Sequence, residues 1–345
     1  MRLVEYIRKR PGMFVPTARD GRPERWVWEN LLHELVADGV ESFRRGEATH
    51  LVLHSEDGYG IGIGHDGRLC TGGVEDVLEP ADGGCTPGVY SRFGTCRYAL
   101  AAALAERMEI AAGEGGEWQS VECRRGIPGL VQRLLQGTAG TGKGVWIAFA
   151  PKAEYLPGEQ WEEAVFAEEG LQRFGEALAC GNPGLRVSVD GREHWHPGGV
   201  EGLVARQMEE TGTEVLAPPG AVEVPGAAFA WGAVRRRGPG RRLSGRAFLN
   251  GREARRGPML GKLGCMVFDW LCDSRRFPEE PCSVFYAFST EIPEGPFESL
   301  EFARRMWGFE ASDRDDEEIE KNLVAIRYFA RAAQCLALAF GREGS

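Results

Sequence analysis

Residues 137–151 read GTAGTGKGVWIAFAP, and how this stretch is read decides between two kinds of fold. A glycine-rich run closing on Gly-Lys is the outline of a phosphate-binding loop, whose lysine meets the outer phosphates and whose Ser/Thr hydroxyl holds magnesium. Gly142 and Lys143 fit that outline, but Gly144 stands where the hydroxyl belongs. Such a loop must also open into a helix, whose N-terminus faces the anion. Here VWIAFAP alternates and is rich in β-formers up to Pro151, so a strand follows. The run reads as a glycine-rich turn entering a strand, which points to an α+β chain and away from a P-loop NTPase.

The neighbouring segments extend that reading. ERWVWENLLHELVADGVESFRRG (24–46) carries Trp26, Leu31, Leu32, Leu35, Val36, Val40 and Phe43 at helical spacing and predicts one long amphipathic helix. THLVLHSED and YGIGIGHDGR follow as two short strands about Asp57-Gly58. Residues 71–94 are glycine-rich without a sustained period and predict a long loop. TCRYALAAALAERMEIAA then reads as a helix running into a strand. A helix ending at Gly181 and Pro183 precedes LRVSVDGREHW, a hairpin about Asp190-Gly191. Composition changes near 198–225, so a second α+β unit is expected from there to the C-terminus, giving domains over residues 1–200 and 201–345.

Bulk properties bound the function. With 345 residues, 43 % hydrophobic and 27 % charged, the composition is that of a globular protein able to bury sizeable cores. A net charge of −10 gives no overall attraction to nucleic acid or anionic membrane. The nine cysteines show neither a C-x-x-C pair nor a zinc spacing and read as reduced thiols. MRLVEYIRKRPGMF lacks the apolar core of a signal peptide, and no stretch approaches a membrane span; a cytoplasmic protein without membrane contact is expected.

The arm YIRKRPGMF (6–14) resembles the segment that opens the ATPase region of the DNA gyrase B protein and of its topoisomerase IV counterpart. ELVADGVES, HDGR, TGKGVWIAF and AEYLPG follow it in the family's order. The resemblance is strongest in the N-terminal third and extends weakly past residue 200, where GLVARQ, FLNG and IPEGPFES are similar to parts of the transducer domain. It implies a GHKL (Bergerat-type) α/β sandwich followed by a transducer-like, ribosomal protein S5 domain 2-like α+β domain, with Mg-ATP as the family's ligand.

Carried over position by position, the resemblance makes Glu34 the general base that activates water. It places Asp38, one helical turn later on the same face, at the magnesium-binding asparagine. A carboxylate can hold Mg²⁺ but adds negative charge beside a triphosphate. His65 replaces the aspartate that receives the adenine amino group, while Asp66, Gly67 and Arg68 are retained and Leu69 replaces a glycine. In the glycine-rich phosphate lid, here SRFGTCRYA, Gly94 alone remains; Arg92 and Arg97 read either as side-chain phosphate ligands or as surface residues at a helix start. Thr141 and Gly142 keep the threonine turn behind the adenine site, and Lys143 takes the place of its second threonine. The transducer's Gln-Thr-Lys loop is replaced by Leu300-Glu301-Phe302. Each lost charge-assisted contact removes on the order of 1.5–3 kcal/mol.

The expectation is therefore a gyrase-B-like module with an inactive ATP site, acting as a binding or regulatory protein whose partner is a gyrase-like paralogue or another protein. The alternative is a module that weakly binds or hydrolyses ATP and acts with DNA or a topoisomerase-type partner, using Glu34 as base, Asp38 for magnesium and Lys143 or the arginines as a rebuilt clamp. The basic region 234–256, from VRRRGPGRRLSGR on, reads as a local DNA-contacting loop or as a solvated hairpin tip. His194-Trp195-His196 reads as a strand end sooner than as a metal site.

Overall fold

A computed structural model describes residues 3–9, 25–56, 60–69, 73–74, 76–78, 97–114, 117–134, 143–152, 168–211, 213–236, 238–240, 242–253, 258–273, 280–291 and 315–340. The chain divides into two compact units, residues 1–179 with 185–195 and residues 180–184 with 196–345.

The first unit is built on a mixed sheet covered by helices. Its strands are β1 (His50–Glu56), β2 (Gly60–His65), β3 (Ala105–Glu114), β4 (Glu117–Arg124), β5 (Ile127–Pro128), β6 (Gln132–Leu134), β7 (Gly144–Pro151), β8 (Arg186–Val189) and β9 (Arg192–Trp195). They lie in the order β5-β4-β3-β7-β2-β1-β8-β9, with β6 also on β4. The GTAGTGKG run does lead into a strand, since β7 begins at Gly144 and pairs antiparallel with both β2 and β3. Its odd positions Val145, Ile147 and Phe149 are buried in the core shared with the helices. On β2 the alternation Gly-Ile-Gly-Ile-Gly has a direct cause. Ile61 and Ile63 join that core, whereas a Cβ on Gly64 would stand 2.8 Å from the Trp146 ring.

Among the described residues the helices of this unit are α1 (Leu3–Lys9), α2 (Arg25–Leu35), α3 (Ala37–Arg44), α4 (Arg97–Leu104) and all but the last two residues of α5 (Glu168–Gly181). The single helix expected over 24–46 is divided at Val36, although the amides of Val36 and Val40 still bond the carbonyls of Leu32 and Val36. All eight residues of α4, RYALAAAL, are buried. Alanines let α1 and α2 pack closely on it. It passes without a loop into β3, as its sequence predicts. The hairpin at Asp190-Gly191 forms as expected, both residues adopting positive φ (47° and 81°).

The second unit carries a sheet in the order β10-β11-β14-β12-β13, from β10 (Val215–Val224), β11 (Ala227–Arg235), β12 (Arg242–Leu249), β13 (Arg252–Glu253) and β14 (Cys282–Thr290). Helices α6 (Gly199–Thr211), α7 (Pro258–Asp273) and α8 (Asp315–Phe340) accompany it. Phe229, Phe248 and Phe288 are fully buried, and Tyr328 meets Phe288 edge-on with ring centroids 5.1 Å apart. β14 lies between β11, to which it is antiparallel, and β12, to which it is parallel. The hairpin-tip reading of the basic segment is therefore corrected: 236–241 spans a crossover past β14, because β11 and β12 never pair. Among the described residues, no helix is long and apolar enough to cross a membrane. Cys123 and Cys335 are buried, and burial pushes both thiols up to about 11.

Candidate functional site

Helix α3, the end of β2 and the start of β7 meet at His65. His65 is the last residue of β2 and sits in register with Leu51 on one side and Val145 on the other. A Cβ added to Gly39 on α3 would lie 3.2 Å from the Cβ and Cγ of His65, and one on Gly144 would lie 2.9 Å from its carbonyl oxygen. Helix α3 and the start of β7 thus converge on His65, and Asp38 is adjacent to Gly39 in the chain.

Glu34 and Asp38 are both buried, at 0 % and 1 % exposure. An isolated buried carboxylate is costly, and Asp38 is supplied with two donors. Arg97 Nη2 donates to its Oδ1 and the Tyr98 hydroxyl donates to its Oδ2. Arg97 Nη1 also lies 3.7 Å from Glu41 Oε2, and the guanidinium stands 5.4 Å from the Tyr98 ring centroid. The reading of Arg97 as a surface residue is overturned: it is 1 % exposed at the N-terminus of α4, its charge matched by Asp38. A cation at Asp38 would have to face this guanidinium or displace it.

His65 is an acceptor at one ring nitrogen and carries its proton on the other. Its Nδ1 accepts the Gly67 amide at 3.2 Å, which leaves the proton of the neutral ring on Nε2. Burial lowers its pKa to about 4; Asp66 opposes that shift and Arg45 adds to it. The Nε2–H is buried and has no acceptor among the described residues.

Asp66 braces two strands. Its Oδ1 accepts the amides of Thr49 at 2.8 Å and His50 at 3.0 Å, and its Oδ2 accepts the Thr49 hydroxyl at 2.6 Å. Partial burial acts to raise its pKa, but the bonds from the Thr49 hydroxyl and the two amides outweigh it and hold the carboxyl below its ordinary value. Asp66-Gly67 is not the tip of a hairpin: the dipeptide leaves β2 and ties its end to the start of β1. Gly67 is required by close approach, because a Cβ there would stand 2.5 Å from Ser42 Cβ. Ser42 Oγ in turn donates to the Arg68 carbonyl at 3.3 Å.

Arg68 pairs with Glu114 at 3.3 Å on the surface. Leu69 packs against the first unit's core. Lys143 is half-buried beside the start of β7. Gly94, Thr141, Arg92 and Leu300-Glu301-Phe302 lie outside the described residues. His194 Nε2 bonds Gln172 Oε1 at 2.8 Å, and no cluster able to hold a metal occurs among the described residues.

Arg97 and Tyr98 escaped sequence reasoning as partners of Asp38. The signal available was an arginine placed directly before the wholly apolar run of α4, together with an extra acid on α3 that needed a cation.

Sheet order, covering helices and the second unit together define a GHKL-type α/β sandwich followed by a transducer-like α+β domain. No protein-family profile matches the chain, and no curated protein sequence matches it. Solved structures match it along nearly its whole length. The gyrase B subunit of Myxococcus xanthus is similar at 22 % identity and a TM-score of 0.61, covering 97 % of this chain and 97 % of that one. The 43K ATPase domain of Thermus thermophilus gyrase B, solved with an aminocoumarin, is 16 % identical with a TM-score of 0.55, covering 99 % and 97 %. The ATP-binding domain of Francisella tularensis topoisomerase IV, solved with a small-molecule inhibitor, is 14 % identical with a TM-score of 0.51, covering 96 % and 94 %. The fold expected from the sequence is thus the fold observed.

Proposed function

We propose that this chain is a gyrase-B-like module whose nucleotide site is closed by its own side chains, and that it acts by binding a partner and not by turning over ATP. The observation that carries the reading is the buried Arg97–Asp38 pair capped by Tyr98. A magnesium ion at Asp38 would have to face or expel a buried guanidinium, and either is unfavourable in a low-dielectric interior. His65 supports the same reading. The resemblance assigns its position to an acceptor for the adenine amino group, and a buried Nε2–H opposes that donor with another donor. The partner is a gyrase-like paralogue or another protein. Among the described residues, any DNA contact through 234–256 would draw on Arg236 and Arg242, because Arg235 is held by Glu214 and Glu280, Arg246 by Glu253, and Arg252 is buried.

A second reading, a slow ATPase, is favoured by the placement of Glu34 one turn before Asp38 and by the retained Asp66-Gly67-Arg68. Calorimetry with Mg-ATP and a non-hydrolysable analogue separates the two. No heat of binding at millimolar nucleotide is expected. Micromolar binding with turnover that Glu34→Ala abolishes would establish the ATPase instead.

A further inference from the structure

Helix α7 presents two faces. Leu263, Val267 and Leu271 are completely buried in the second unit's core. The opposite face exposes Gly261, Cys265, Phe268 and Cys272, and the phenylalanine keeps 45 % of its surface in solvent. These four positions are spaced four, three and four residues apart, the spacing at which one helix packs along another at a shallow angle. A large aromatic set in the middle of a regular apolar stripe is the usual form of an interface anchor.

The charges beside the stripe select the occupant. Lys262 and Asp269 are exposed and flank the stripe on one side, seven residues apart. In an antiparallel pair of identical helices, each flanking position on that side faces its own kind, so Lys262 meets Asp269 of the other copy twice about a two-fold axis. In a parallel pair the facing positions are Gly264 and Leu271, which offer no charge. The same antiparallel register sets Cys265 against Phe268 and Gly261 against Cys272, with glycine leaving room where the helix ends approach. We infer that the solvent face of α7 is a self-complementary docking surface, and that two copies of this chain associate through antiparallel α7 helices. The stripe spans roughly 16 Å at 1.5 Å per residue, so the interface is small and its dimer is concentration-dependent.

Sedimentation velocity on the full chain, from micromolar to roughly 500 µM, tests this. A monomer–dimer equilibrium is expected. Phe268→Glu should weaken it roughly thirtyfold or more, and Lys262→Asp about threefold to fivefold. The double change Lys262→Asp with Asp269→Lys should recover the loss, which no misfolding effect of the single variants would produce. Register is read independently by Gly261→Cys, a position where a Cβ meets nothing within 4 Å. Under diamide, peptide mapping should find the thiol introduced at position 261 joined to Cys272 of the other copy. A monomer throughout the range, a dimer untouched by Phe268→Glu, or cross-links joining only like positions would overturn the inference.

Discussion

Arg97 and Asp38 form an ion pair from which solvent is excluded, the arginine side chain being 1 % exposed and the aspartate side chain 0 %. The pair joins the first turn of α3 to the first turn of α4 and brings Glu41 and Tyr98 into the same cluster. Breaking such a pair from one side leaves an uncompensated buried charge, which costs about 3–5 kcal/mol. Arg97→Met should therefore lower the unfolding free energy of the first unit by about that much in urea titrations. Adding Asp38→Leu should return a large part of it, because an apolar pair no longer has to be desolvated. Equal stability of the single variant and the parent would show that the arginine leaves its site at little cost.

His65 makes stability depend on pH in a window of its own. Its folded pKa of about 4 lies below the ordinary value of 6.5, so between those values the unfolded chain binds the extra proton. Stability is complete above pH 6.5 and falls as pH drops toward 4. The full difference amounts to about 3 kcal/mol. His65→Gln should flatten the curve of unfolding free energy against pH in that interval and leave its slope unchanged above it. Parallel curves for the two proteins would contradict the buried neutral ring.

Asp66 and Arg68 are adjacent to the same glycine yet should behave oppositely. Asp66→Ala strands the amides of Thr49 and His50 and the Thr49 hydroxyl, a loss of about 2–3 kcal/mol. Arg68→Ala removes only an exposed pair with Glu114 and should change stability by less than about 0.5 kcal/mol. Because the folded pKa of Asp66 is depressed, its contribution is present above its unfolded pKa and is lost as pH falls through the folded one. Thermal melts of the two variants at neutral pH decide the matter, and comparable losses from both would refute the brace.

Gly67→Ala drives a methyl into Ser42 and should cost about 1–3 kcal/mol. Ser42→Gly in the same chain removes the obstructing Cβ, so the double variant should be less damaged than the sum of the singles. A double-mutant cycle with no coupling would mean that the backbone moves aside instead.

Much of the fold was legible one element at a time. Val145, Ile147 and Phe149 alternate, so the strand after GTAGTGKG was readable as a strand. Asp190-Gly191 marked a hairpin by residue type alone, because aspartate and glycine are the residues that accept the positive φ both adopt there. The break at Val36 was not legible, because the apolar spacing of 24–46 runs through it unbroken. Neither was the crossover at 236–241, since nothing local in RRGPGR says that β14 will occupy the space between β11 and β12.

By itself the sequence determined helices and strands through local periodicity, while Asp38, His65 and Leu69 stand as replacements only by the resemblance to the gyrase B family. Tertiary structure alone decided what those replacements do. Arg97 lies 59 residues from Asp38 in the chain, and only packing α4 onto the sheet beside α3 turns an ordinary arginine into the buried counter-ion of an ordinary aspartate. Which nitrogen of His65 holds the proton was likewise settled by the Gly67 amide that the turn after β2 aims at it. Charge compensation and tautomer are properties of neighbours in space, and an isolated chain has not yet chosen them.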